Sequence, residues 1–214
     1  MPTPRNTSKW TIIFVLGGPG AGKGTHCSRL AASYSIGHLS MGDILREEQE
    51  KPGSKWGELI RQNILEGVIG PPEMAVSLLE AAMTEQHEKE GVSVFLLDGF
   101  PRRIEHVELF ESTIGPPAIV LFLDCPEDVM QDRLLKRAEM SRRVDDNIAI
   151  IRKRFKTFTQ TTMPVIEHFR TQDKVVQMDA TKVVDAVYRD IQVMMEEKLG
   201  NVLRIGQERD EQLD

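Results

Sequence analysis

Cysteine is scarce in this 214-residue chain: there are two, Cys27 and Cys125, and they form no CxxC pair. Two thiols cannot build a disulfide framework, which excludes the small secreted scaffolds and points to a reducing compartment where both thiols are inert by default. A basic excess is missing too. Lys and Arg number 27 against 33 Asp and Glu, a formal net charge of −6, so the chain lacks the positive field of proteins that coat nucleic acid or an anionic membrane. Any phosphate ligand must then be held by a local cluster. No apolar run approaches the roughly 20 residues that a membrane span needs, and the opening MPTPRNTSKW lacks the apolar centre of a signal peptide. Repeats and low-complexity tracts are absent from the sequence. The expectation is a cytosolic protein, with the nucleus as a second compartment, that binds neither nucleic acid nor membrane.

What is present is ordinary globular material, 40% apolar and 28% charged, of a length that suits one compact domain with insertions. The polar, proline-containing residues 1–10 read as a flexible lead-in and the domain as 11–199, followed by a polar tail over 200–214 that should fray. Ile12 to Leu16 is a short continuous β-branched and aromatic run ending at Gly17-Gly18-Pro19-Gly20, the pattern of a strand buried on both faces. Val94–Leu97, Ile119–Leu123 and Val175–Met178 repeat it, each stopping at an Asp, and Ile36–Leu39 is a weaker fifth. Helix-period stretches lie between them over Gly22–Ser33, Trp56–Glu66, Glu73–Glu85, Glu127–Arg137, Asn147–Phe169 and Val183–Lys198. This alternation predicts an α/β fold with three layers, a parallel five-stranded sheet between helices, and ligands at the carboxyl ends of the strands. Two segments interrupt the rhythm: a helical insert over about 40–87, and a short polar stretch over about 138–146 placed like a hinged cover.

The sharpest motif is GGPGAGKGT, Gly17 to Thr25, between the first strand and its helix. It satisfies G-x-x-x-x-G-K, with Gly24 in the usual Ser/Thr position and Thr25 after it. Backbone N–H groups of Gly18, Gly20, Ala21, Gly22 and Gly24 can close around phosphate oxygens because glycine permits the φ angles and removes bulk, while Pro19 offers no N–H. The helix N-terminus and Lys23 add positive charge for the β- and γ-phosphates of a nucleotide such as ATP. The motif specifies a phosphate, not an enzyme. Asp98, ending the third strand and opening DGFPR, faces the same end of the sheet. It reads either as an anchor for Mg²⁺, with the Thr25 hydroxyl as its neighbour, or as a turn aspartate.

Phosphoryl transfer between two nucleotides crowds negative oxygens together and needs several cations. Arg133 and Arg137 lie one helical turn apart, Arg143 sits in the polar stretch, Arg154 in the next helix, and Arg46 and Arg102 on the other side of the cradle. Any one alone is by default a solvated surface charge.

GGPGAGKGT, HLSMGDILR (His38 to Arg46), LLDGFPRR (Leu96 to Arg103), DRLLKR (Asp132 to Arg137) and SRRVDDN (Ser141 to Asn147), in this order, resemble the successive motifs of the short-lid nucleoside monophosphate kinases, P-loop NTPases of the adenylate kinase family. The resemblance covers about Thr11 to Lys198, and FLDCPEDVMQDRLLKR and TMPVIEHF are most similar to eukaryotic UMP/CMP kinases of the uridylate kinase type. It implies ATP and Mg²⁺ as cofactors, UMP or CMP as acceptor in pyrimidine nucleotide metabolism, and a monomer. It implies that Gly18 to Thr25, Arg137 and Lys182 hold ATP, that Thr25 and Asp98 serve Mg²⁺ partly through water, and that Lys23, Arg133, Arg143 and Arg154 are catalytic. Met41, Arg46, Val68, Ile69, Gly70, Gly99, Arg102 and His106 would hold the acceptor, and Asp145 and Asp146 would help close the lid.

Four positions depart from the pattern. Met41 replaces Ala or Thr and narrows the acceptor pocket. His106 stands where a base-reading Asn or Gln belongs, and neutral imidazole offers one donor and one acceptor where an amide offers more. Val68-Ile69-Gly70-Pro71 replaces an Ile-Val-Pro turn. Ala138 and Arg142 replace two lid glycines, which stiffens the lid. Two competing readings stand beside the UMP/CMP kinase: an AMP-preferring adenylate kinase, and a nucleotide-binding paralogue with weak activity.

Overall fold

The computed structural model describes residues 9–140, 145 and 147–210. Five strands, β1 (Thr11–Gly17), β2 (Gly37–Ser40), β3 (Val94–Asp98), β4 (Ile119–Asp124) and β5 (Val175–Asp179), form one sheet in the order β2-β3-β1-β4-β5. Every pairing is parallel. Around them lie α1 (Lys23–Tyr34), α2 (Met41–Glu50), α3 (Gly57–Glu66), α4 (Pro72–Glu90), α5 (Ile104–Thr113), α6 (Glu127–Met140), α7 (Ile148–Thr157), α8 (Met163–Arg170) and α9 (Val184–Asp210).

Side-chain alternation along β1 divides the interior into two cores. Ile13 and Val15 point with Leu96 and Leu121 into the core that α1, α6 and α9 cover through Cys27, Leu30, Leu134 and Ile191. Ile12, Phe14 and Leu16 point the other way, toward Leu79 of α4, Phe110 of α5 and Phe169 of α8. Phe14 is fully buried and meets Phe100, Phe110 and Phe169 edge-on at centroid distances of 5.9, 5.3 and 5.8 Å. Such aromatic pairs add about 0.5–1.5 kcal/mol beyond the burial itself.

The five strands lie where the apolar runs place them, one residue longer at most ends. Helices differ in four places. α5 occupies Ile104–Thr113, where the sequence suggested no helix. The expected helix over Asn147–Phe169 is interrupted by a π-helical turn, Phe158–Thr162, between α7 and α8. Pro164 has no N–H to continue the ladder, and the β-branched Thr157, Thr161 and Thr162 hold helical backbone weakly. α9 continues through Gly200 to Asp210, across a tail expected to fray, and its Leu203 is buried in the first core. α6 runs as helix through Ala138, the expected start of the cover segment. No helix among the described residues is long and apolar enough to cross a membrane.

β1 sits between β3 and β4; the chain leaving β1 runs to β2 on one side of it, whereas the chain leaving β3 crosses over to β4 on the other. That is where an open α/β sheet leaves a crevice outside the carboxyl ends of its strands.

Candidate active site

The loop from Gly17 to Gly22 carries β1 directly into α1. Gly20 takes φ +89°, and a Cβ there would stand 2.5 Å from the backbone oxygen of Met130, so α6 packs against the loop with only hydrogen in between. Lys23, the first residue of α1, turns back and donates from Nζ to Gly17 O and Gly18 O at 2.9 Å each. Burial is the main cause that lowers its pKa to about 8. The neighbouring Asp98 opposes the fall, and Arg102 and Arg154 add to it.

Asp98 is buried at the end of β3, in register with Val15 of β1 and Ser40 of β2. A Cβ added to Gly24 would lie 3.4 Å from Asp98 Oδ2, which measures how closely the carboxylate approaches the loop. Thr25 follows as an exposed residue of α1. Its hydroxyl and the Asp98 carboxylate are hard oxygen donors of the type Mg²⁺ takes, so this corner fits that ion.

Arg102 donates from Nε to Gly99 O at 2.6 Å. Burial and then Arg154 push its pKa down to about 10 against the pull of Asp98, with Arg46 lowering it further. Arg154 of α7 donates from Nη1 to Asp145 Oδ2 at 2.7 Å, and Asp145 is itself buried. Arg46 pairs with Asp43 one turn earlier on α2. Lys23, Arg46, Arg102 and Arg154 all line one cleft with Asp145. Four cations around one space repel one another until polyanionic oxygens enter among them.

Beyond Arg46 the cleft becomes apolar, lined by Met41, Val68, Ile69, Gly70, Gly99 and His106. His106 is buried, stacked on Phe100 with ring centroids 5.3 Å apart, and its Nε2 lies 3.3 Å from Gly70 O. Burial first, then Arg103 and Arg102, lowers its pKa to about 4, so the ring is neutral near pH 7. A carbonyl can only accept, so the hydrogen bond assigns the proton to Nε2 and leaves Nδ1 an acceptor. Nδ1 is buried without a hydrogen-bond partner among the described residues, as is Asn63 Nδ2 on α3. Gly70 makes room for both walls: a Cβ there would meet Met74 Cε at 2.3 Å and Asn63 Nδ2 at 3.1 Å.

Asn63, Met74 and Thr157 are cleft residues outside every motif, and Phe100 is one inside LLDGFPRR to which the motif attaches no role. Asn63 carried a readable signal. It shares a helix face with Ile60, Ile64 and Gly67, and a polar side chain inside an apolar stripe needs a partner.

Other expected residues lie outside the cleft lining. On α6, Arg133 points to Cys125, Nη1 to Sγ 3.6 Å, and Arg137 is half-buried one turn on. Lys182 is exposed and paired with Asp190 at 2.8 Å. Arg142, Arg143 and Asp146 lie outside the described residues.

A P-loop at the centre of a parallel sheet, facing a cationic cleft under a helical insert, defines a P-loop phosphate-binding protein of the kinase type. The adenylate kinase family model matches residues 15–174, and the chain belongs to that family. It is 49% identical over 189 residues to the uridylate kinase of Saccharomyces cerevisiae, covering 88% of this chain and 92% of that protein. It is 48% identical over 190 residues to the UMP-CMP kinase of Lentinula edodes, with 85% and 84% covered. Against the adenylate kinase 1 of Schistosoma mansoni the identity is 44% over 186 residues, with 87% and 93% covered.

Proposed function

We propose that the protein is an ATP-dependent nucleoside monophosphate kinase that transfers the γ-phosphoryl group reversibly to UMP or CMP, giving UDP or CDP and ADP. The observation that carries this reading is the cleft itself: Lys23, Arg46, Arg102 and Arg154 converge beside a P-loop, with an apolar, base-sized chamber beyond them. The uridylate kinase and UMP-CMP kinase names of similar proteins narrow the acceptor to a pyrimidine monophosphate.

In this reading the backbone of Gly18 to Thr25, with Lys23, holds the phosphates of ATP at the N-terminus of α1. Arg133, Arg137 and Lys182 serve the ATP side. Thr25 and Asp98 would hold Mg²⁺, partly through water, and the ion would supply charge neutralisation to the phosphates. Arg46 and Arg102 clamp the acceptor's α-phosphate, while Arg143 and Arg154 span both nucleotides. An oxygen of that α-phosphate attacks the γ-phosphorus as the bond to the β–γ bridging oxygen breaks, so ADP carries the electron pair away. Phosphate oxygens are already ionised at neutral pH, so positioning and charge suffice without a protein base. Met41, Val68, Ile69, Gly70, Gly99 and His106 enclose the base. The protein acts as a monomer in the cytosol, and in the nucleus as a second location, within pyrimidine nucleotide metabolism.

The test is a coupled assay of ADP formation from ATP and Mg²⁺ with UMP, CMP, dCMP, AMP, GMP and dTMP offered in turn. Preference for UMP or CMP is the expected result. Preference for AMP would move the protein to adenylate kinase activity, a reading that the 44% identity to an adenylate kinase keeps in view. Binding of ATP with no turnover on any acceptor would overturn the kinase.

A further inference from the structure

The structure assigns a second metal site to this chain: Cys27, His38 and Asp98 form a pocket for a thiophilic divalent cation such as Zn²⁺, whose occupancy shuts off phosphoryl transfer. The binding half of this inference is independent of the proposed kinase activity. The inhibitory half rests on it, because it works by removing Asp98 from the Mg²⁺ corner.

Three elements bring the ligands together. Cys27 comes from the buried face of α1, His38 from β2 and Asp98 from the end of β3. One ligand atom from each lies within 4.8 Å of the others, and His38 Nε2 is 3.5 Å from Asp98 Oδ2. Tetrahedral zinc with bonds of about 2.0–2.3 Å separates its ligand atoms by about 3.5 Å, so one edge of the polyhedron is already set and the sulfur has little distance to close.

The histidine is oriented as a ligand should be. Its Nδ1 lies 3.4 Å from the Ser28 hydroxyl, which leaves Nε2 directed toward Asp98. Nε2 is buried, and the 3.5 Å approach is not aligned as a hydrogen bond, so this nitrogen lacks a hydrogen-bond partner among the described residues. A metal-bound imidazole has this arrangement: one ring nitrogen on an outer hydrogen bond, the other with its lone pair turned inward.

The donor set also chooses the ion. Mg²⁺ takes oxygen and dehydrates reluctantly, so it gains nothing from the sulfur and nitrogen here. Zn²⁺ takes sulfur, nitrogen and carboxylate together, with the fourth position left to solvent. On binding, the Cys27 thiol releases its proton to solvent and the sulfur donates an electron pair to the metal. Thiolate and carboxylate then balance the two positive charges. Lys23 and Arg102 are cations near Asp98; Lys23 Nζ is turned away to Gly17 O and Gly18 O, and Arg102 Nε to Gly99 O. Access runs past the side chains of His38 and Asp98, 17% and 10% exposed, since Cys27 is fully enclosed.

Cobalt and zinc titrations of the full chain test this, with Cys27→Ser and Cys125→Ser as variants. Co²⁺ should produce a thiolate-to-metal charge-transfer band in the wild type and in C125S but not in C27S. With Mg-ATP and UMP fixed, rising free Zn²⁺ should suppress turnover in the wild type. C27S should keep its basal turnover and need at least about tenfold more Zn²⁺, the scale of loss seen when even an outer partner of a metal ligand is removed. A band that persists in C27S and vanishes in C125S, or equal zinc sensitivity in C27S and wild type, overturns the site. If C27S fails to fold, absence of the band in the wild type overturns it alone. A wild-type band with no turnover on any acceptor would retain the site and remove the kinase.

Discussion

Arg154 depends on a buried partner for its position. Asp145 holds the guanidinium at 2.7 Å over the cleft, so the cation is placed before any ligand arrives, and preorganised charge is what lowers a phosphoryl-transfer barrier. Arg154→Ala should therefore reduce kcat by roughly 10²–10³, the cost of losing one such donor, with an unchanged circular dichroism spectrum and a smaller effect on KM. His106 offers a different test. Its Nδ1 can accept from a 4-amino group or a ring N–H but cannot donate to a 4-carbonyl. His106→Asn adds a donor and should raise UMP turnover relative to CMP, read as the ratio of kcat/KM values. Folding also reports on this ring. Its pKa falls from the ordinary 6.5 to about 4 in the folded protein, so between those pH values the unfolded chain binds the extra proton. Stability must rise as pH climbs from 4 to 6.5 and fall as it drops again. Urea unfolding of H106N across that window should show a shallower slope than wild type.

Among elements, α3 and α7 meet where the insert leans over the site. Gly67 ends α3 at φ +63°, and a Cβ there would stand 2.9 Å from Lys153 Cβ. Thr157 Oγ1 donates to Gly67 O at 2.7 Å, and Lys153 pairs with Glu66 at 2.9 Å. Gly67→Ala should cost about 1–2 kcal/mol through left-handed strain and push the insert away from α7. The expected readouts are a lower urea midpoint and a raised acceptor KM with ATP binding intact. This scale also shows what the chain disclosed. β1, β3 and β4 were legible because each is a continuous apolar run closed by Gly or Asp, and β5 because only Gln177 interrupts its run before Asp179. The phosphate loop was legible because strand, glycines, lysine and helix coincide, whereas β2, Gly-His-Leu-Ser, gave the weakest signal. α5 was hidden because Arg103 gives no side-chain cap, so no start signal marked the helix. The π-helical turn was hidden because it alters the ladder without altering the apolar period. Met74 and Thr157 line the site through packing between distant segments, which no local motif encodes. The roles expected of Arg133, Arg137 and Lys182 came from resemblance, and their positions on α6 and after β5 are independent of that resemblance.

For the whole molecule, the sheet separates two cores, and β1, β3 and β4 send buried side chains into both. Phe14 is the centre of the aromatic one, touching three rings. Truncation by Phe14→Ala should cost about 3–5 kcal/mol, which for a chain of this size lowers Tm by about 10 °C in calorimetry. Because Phe14 lies in the strand that carries the phosphate loop, ATP binding should weaken in parallel, whereas a cavity far from β1 would leave it intact.

The strand order has a consequence during synthesis. β1 leaves the ribosome well before its two neighbours, which begin at Val94 and Ile119. Until the second of these emerges, the strand that ends in the phosphate loop has an unpaired edge, apolar on both faces. Such an edge invites pairing with another nascent chain. A ribosome that stalls before residue 119 therefore holds a polypeptide with its most sequence-specific motif fully made, at the open edge of a three-stranded sheet.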